Sequence, residues 1–260
     1  MRCVSLRAAL AAAAGMLCTL SWASAGTVTA NFVSVSPGAQ PFTVNYLKPG
    51  PVADTASNIR AGIMNWTQTS HTPGGNIAGD GNGFVAYCMD LAQFVASPAT
   101  FTVTTDPTIV PNPASATGSL ATPWAGDVTK TKHDALLRLF AKHFDAGNPS
   151  NDFHAAFQLA VWEIIFETTV GDFSLSSGTT NATGVVAAIT QANTFLSNLF
   201  LGGSYATGSF LFLTAGDHQD QIVYRPPANP GPTPEIPLPT AALAGLTLLG
   251  GLGVRRVTRG

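Results

Sequence analysis

The stretch GFVAYCMDLAQF, Gly83 to Phe94, decides how the rest of the chain is read. Its first nine residues are mostly apolar or β-forming and follow a glycine-rich loop, the pattern of a strand. Side chains two apart on a strand share a face, so Cys88 lies with Ala86 and Asp90, while Val85, Tyr87, Met89 and Leu91 point the other way. The second set is wholly apolar and is expected to face the main core. Cys88 is then either a small buried core residue or a thiol kept for its chemistry, because free thiols are common in protein interiors.

The chain has three cysteines. Two fall in a secretory signal, Met1 to Ala25, which carries Arg2 and Arg7, an alanine- and leucine-rich run, and the small residues Ala23-Ser24-Ala25 for cleavage. Cys3 and Cys18 leave with it. Gly15-Met16-Leu17 lacks the small residue expected just before a lipidated Cys18. The mature body therefore has one thiol and no partner for a disulfide.

Residues 26–225 suit one domain, or one domain with an inserted part. Thr27 to Tyr46 reads as two strands around Ser36-Pro-Gly-Ala, and His71-Thr-Pro-Gly-Gly with Gly79-Asp-Gly-Asn-Gly83 reads as a loop. That loop has one acid, Asp80, and no Lys-Ser/Thr pair, so it is neither a phosphate cradle nor a calcium loop. Phe101-Thr-Val-Thr-Thr is a further strand. A proline-rich connection runs from it to Trp124.

The period then becomes helical. Thr131-Lys-His-Asp134 is a helix start, with Leu136, Leu139, Phe140 and Phe144 at helical spacing until Gly147-Asn-Pro. A second helix begins near Ser150 or Asn151 and places Phe153, Phe157, Ala160, Val161 and Ile164 on one core-facing stripe. A third covers Val185 to Leu201. Ser209 to Thr214 and Gln221 to Tyr224 close the body as strands, so the fold class is α+β. Gln158 lies off the apolar stripe of the second helix, one turn from His154 and from Trp162. That face is either a site or a solvated polar face with one exposed aromatic.

Pro226, Pro227, Pro230, Pro232 and Pro234 stiffen a spacer over residues 226–235. From Leu238 to Val254 the chain carries no charge, and Arg255, Arg256 and Arg259 follow, the order of a short membrane helix with a cytoplasmic tip. With both ends removed, seven Lys and Arg face fourteen acids, a net of −7, which speaks against nucleic acid as a partner.

The tail, Pro234-Glu235-Ile236-Pro237-Leu238-Pro239 with the apolar run and arginines over residues 236–260, resembles the PEP-CTERM sorting signal of Gram-negative bacteria that make exopolysaccharide. The resemblance implies export, transient anchoring in the inner membrane, and release towards the cell surface or extracellular matrix by an exosortase-type protease that cuts near Pro234, Glu235, Pro237 and Pro239. A plain C-terminal membrane anchor is the other reading of the same pattern.

Tyr87-Cys88-Met89-Asp90, followed downstream by Phe157-Gln158-Leu159-Ala160-Val161-Trp162, resembles the paired motifs of thioester domains, which are surface adhesin modules. Gly216-Asp-His-Gln-Asp220-Gln-Ile-Val resembles their closing-strand region. Phe157 stands where those domains usually carry Thr, Ser or Ala. The resemblance implies an antiparallel β-sandwich or barrel with an inserted helical sub-domain over residues 26–225, and a bond between the Cys88 sulfur and the Gln158 side chain. No cofactor or metal is needed. His154 is the expected proton shuttle, although a lone helix histidine is often just solvated. Asp90 is expected to orient that group, and Trp162 to shield the bond from water. The chain then acts as a non-enzymatic, single-use covalent adhesion module towards an amine or hydroxyl on a surface target.

Competing readings are a non-covalent structural protein of the exopolysaccharide matrix with a free Cys88, an exported hydrolase, and a cysteine protease. The chain has no Gly-x-Ser-x-Gly and no His-Glu-x-x-His, and His133, His143 and His154 lack close metal-ligand spacing. Glu163 and Glu167 share a helix face, but no aromatic cleft marks them as glycosidase acids.

Overall fold

Gly83–Cys88 is a strand, as its alternation predicts, and it is buried on both faces. The computed structural model describes residues 26–38, 40–48, 52–111, 119–124, 127–168, 173–201 and 208–227. The expected signal at Met1–Ala25 and the expected sorting tail, with Pro234, Glu235, Pro237 and Pro239, lie outside the described residues. Among those described, no helix is long and apolar enough to cross a membrane.

The elements run β1 (Gly26–Val35), β2 (Gln40–Lys48), β3 (Val52–Ala61), β4 (Met64–His71), β5 (Gly83–Cys88), β6 (Ala99–Thr104), β7 (Pro123–Trp124), β8 (Asp127–Thr131), α1 (Lys132–His143), α2 (Asn151–Phe166), β9 (Asn181–Thr183), α3 (Val186–Ser197), β10 (Ser209–Thr214) and β11 (Gln221–Arg225). Six strands close an antiparallel barrel in the order β1-β4-β5-β11-β10-β6. A second sheet has the order β3-β2-β9, and β7 pairs with β8. Among the described residues the fold is α+β, an antiparallel barrel with three helices between β6 and β10 in chain order. The two strands read around Ser36 are present, but they enter different sheets instead of pairing with each other.

The barrel closes around aromatic side chains. Trp66 meets Phe101 and Phe32 edge-on, each at 5.4 Å between ring centroids, and stacks on Phe84 across the β4–β5 pair. Alternation puts Phe84, Ala86 and Cys88 on this inner face. The outer face of the same wall is equally dry: Tyr87, Phe210 and Tyr224 pack against Phe140, and Tyr87 also against Phe157, at 4.7–5.8 Å. The expectation that one face of β5 owns the core is therefore corrected. Helices cover its Tyr87 side, and the barrel interior takes the Cys88 side.

Thr131 caps α1 by accepting from the Asp134 N–H, and Ser150 caps α2 by accepting from the Phe153 N–H. The expected single stripe on α2 is not what the helix shows. Every residue from His154 to Phe166 is buried, because the helix lies against the second sheet on one side and the barrel wall and the other helices elsewhere. Tyr46 of β2 meets Phe166 at 5.0 Å across that contact. The solvated-face reading of His154, Gln158 and Trp162 fails here, since their exposures are 0, 1 and 2 %.

Candidate functional site

Cys88 is the last residue of β5, and the pairing around it leaves one edge of its backbone open. On the β11 side Gln221 lies opposite Cys88, and the Met89 N–H donates to the Asp220 carbonyl. Backbone groups alternate along a strand, so the N–H and C=O of Cys88 point to the other side. There β4 has already ended, with Met64 opposite Ala86. The Gln158 carboxamide fills the vacant ladder position. Its Oε1 accepts from the Cys88 N–H at 2.8 Å, and its Nε2 donates to the Cys88 carbonyl at 2.8 Å. One donor and one acceptor on the backbone fix which end of the amide is which.

The thiol donates to the Asp90 carbonyl at 2.7 Å, and Gln219 Nε2 donates to the same oxygen at 2.8 Å. Burial pushes the Cys88 thiol well above its ordinary pKa and the negative charge of Asp90 adds to this; the nearby Trp162 indole N–H and the Asp90 backbone oppose the rise. That N–H makes no conventional hydrogen bond. The Asp90 carboxylate, itself raised by burial, turns back to accept from the Ala92 N–H at 2.7 Å. The strand has ended at Cys88, so the expected shared strand face of Cys88 and Asp90 does not exist; the thiol meets Asp90 through its backbone instead. Asp220 is pushed up to about 7, first by burial and then by Asp90, while a bond from the Ala215 N–H at 2.7 Å pulls the other way.

His154 stands elsewhere. Its Nε2 donates to the Asn148 carbonyl at 2.8 Å, which leaves Nδ1 without a proton to accept from the Tyr87 hydroxyl at 2.8 Å. Burial lowers its pKa, in keeping with that neutral tautomer. Both nitrogens are occupied on the Tyr87 side of β5, so the structure joins Cys88, Gln158 and Trp162 and does not bring His154 to them. Placing His154 beside Gln158 followed from helical spacing, which fixes a shared face but not the direction of a ring.

A cavity of about 340 Å³ opens beside the pair, lined by Cys88, Gln158 and Trp162 together with Met64, Leu91 and residues Ser57 to Arg60 of β3. Gln219 and Gln93 also line it. Sequence reading missed these two and the β3 wall, because Val52–Ala61 is a largely exposed strand with little apolar signal. Among the described residues no group of three or more His, Cys, Asp and Glu gathers as a metal site.

No family model matches this chain, and no curated protein matches it. Among solved structures, the N-terminal thioester domain of a surface protein from Clostridium perfringens is similar at 9 % identity and a TM-score of 0.33, over 71 % of this chain and 99 % of that one.

Proposed function

We propose that this chain is an exported surface protein whose Cys88 and Gln158 close into an internal thioester that serves as a single-use covalent adhesion module. The observation that carries the reading is the Gln158 amide clamped on the backbone of the thiol-bearing residue, oxygen and nitrogen each at 2.8 Å. In the reaction, Cys88 Sγ bonds to Gln158 Cδ, the C–N bond breaks, and the nitrogen leaves as ammonia with the proton of the thiol. The Cys88 N–H already donates to the oxygen on which negative charge builds, and proximity comes from the fold itself. Trp162 keeps water from the bond. An acceptor amine or hydroxyl on a surface target then takes the acyl carbon once, without turnover and without cofactor or metal, so the module is not an enzyme. Export rests on the signal at residues 1–25. Transient anchoring by the apolar tail and cutting by an exosortase-type protease near Pro234-Glu235-Ile236-Pro237-Leu238-Pro239 would then deliver the body to the surface or matrix of a Gram-negative cell.

A second reading keeps Cys88 as a thiol in a structural protein of the exopolysaccharide matrix. It is favoured by the burial that raises the thiol pKa and so disfavours the attacking thiolate. Intact mass of the purified chain under denaturing, non-reducing conditions separates the two, beside Cys88→Ala and with or without methylamine. The thioester predicts a wild-type mass short by one ammonia, exceeded after methylamine, and a control that never moves. An unmodified mass with a freely alkylated thiol leaves the matrix protein.

A further inference from the structure

The Asp90 carbonyl holds two donors at once, and closing the Cys88–Gln158 bond removes one of them. We propose that Gln219 is a positioning residue for that closure, acting through the Asp90 carbonyl. This rests on the thioester reading and deepens it at the same site.

Three observations carry it. Cys88 Sγ and Gln219 Nε2 both donate to the Asp90 oxygen, at 2.7 and 2.8 Å, and together they occupy its two lone pairs. The backbone of Gln219 is fixed independently of its side chain: its N–H donates to the Phe94 carbonyl at 3.1 Å, and its carbonyl accepts at 3.2 Å from Nε2 of Gln221, the residue opposite Cys88 on β11. The side chain is thereby aimed at the loop after β5, on the wall of the cavity that Cys88 and Gln158 share. Cys88 itself is 3 % exposed, so a carbonyl bond lost beside its sulfur is costly to leave unmade.

In closure, Cys88 Sγ bonds to Gln158 Cδ, the C–N bond breaks, and the thiol proton leaves with ammonia. The Asp90 oxygen has then lost its S–H donor, both in the closed chain and in the transition state before it. Gln219 keeps one bond on that oxygen throughout. Without the amide, the open chain still has the S–H on the oxygen, but the transition state and the closed chain have neither donor. Removing the amide therefore raises the barrier to closing and leaves the barrier to opening as it was.

The test uses the purified full chain. Ammonia opens the bond and restores the Gln158 carboxamide; once it is removed, intact mass follows closing, and methylamine added to the closed chain follows opening. Gln219→Met keeps the length of the side chain without an N–H donor. It should close on the order of tenfold more slowly than wild type and open at the wild-type rate. Gln219→Glu, compared with wild type at each pH, should behave as Gln219→Met where its carboxyl is ionised and return towards wild type where it is protonated and can donate. Closing of Gln219→Met at the wild-type rate, opening that speeds up as much as closing slows, or a Gln219→Glu variant with no such return each overturns this inference alone. A wild-type chain that never loses ammonia overturns the thioester reading and this inference with it.

Discussion

Cys88 and Gln158 meet through a pairing that neither motif contains, because the amide substitutes for a missing strand residue at the end of β4. The same economy shapes the acids below the thiol. Asp220 is 8 % exposed and its carboxyl is pushed up to about 7, against about 3.9 for an unperturbed aspartate. A raised acid pKa means that below about 4 folded and unfolded chains are both protonated and stability is highest. Between about 4 and about 7 the unfolded chain ionises first, so stability falls as pH rises, and above about 7 the whole cost of the buried charge is present. At about 1.4 kcal/mol per pKa unit, that cost is on the order of 4 kcal/mol. Asp220→Asn keeps an oxygen for the Ala215 N–H and removes the charge. Urea unfolding should therefore find the variant equal to wild type near pH 4 and more stable by a few kcal/mol at pH 8. A wild-type chain whose stability does not fall between those pH values contradicts the burial argument.

At the scale of elements, α2 is held at its last turn by a charge from another helix. Lys132, the first residue of α1, is buried, and its Nζ donates to the carbonyls of Ile165 and Glu167, which the end of α2 leaves without intrahelical partners. Burial lowers its pKa to about 7, with the charge of Glu167 opposing. The lowered value gives the opposite sign to Asp220: the buried charge costs stability below about 7, and the cost fades as pH rises towards the ordinary lysine value near 10.4. Lys132→Met should flatten that rise between pH 7 and 10 in denaturant titrations, and retention of the rise in the variant would assign it elsewhere. What the sequence shows of these elements follows from where each one gets its signal. Thr131 and Ser150 announce α1 and α2 because capping is local, and Ser209 to Thr214 and Gln221 onward announce the closing strands because they alternate or run apolar. β3, β4 and β9 escape for lack of such marks. β3 is an exposed edge, β9 has three residues, and β4 carries Gln68 inside the barrel end, where the backbone of Ile77 and Ala78 and the side chains of Asn76 and Asp80 satisfy it. The site shows the same division: Cys88, Gln158 and Trp162 were legible as residue types on two elements, while the rings of His154 and Tyr87 and the walls at Arg60 and Gln93 depend on packing that no spacing encodes.

Across the whole molecule, the Cys88–Gln158 contact joins residues 70 apart in sequence, one on the barrel wall and one on the helix between the barrel and the second sheet. A covalent bond there ties together the two layers that unfolding must separate. In the chain-entropy account, closing a loop of that length removes enough freedom from the unfolded state to add about 4 kcal/mol of stability. For a domain of this size each kcal/mol moves the melting temperature by about 2–4 °C, so the closed chain should melt roughly 10 °C above the same chain opened by methylamine. Opening replaces sulfur by a methylamide on Gln158 and leaves the aromatic cluster of Tyr87, Phe140 and Phe157 untouched, so the difference reports the cross-link and not lost packing. Thermal melts of treated and untreated chain check this, with Cys88→Ala as the control that methylamine does not shift. Equal melting temperatures in a chain whose mass proves the bond closed would mean that the barrel and α2 unfold without separating Cys88 from Gln158, and that the bond serves the acceptor and not the fold.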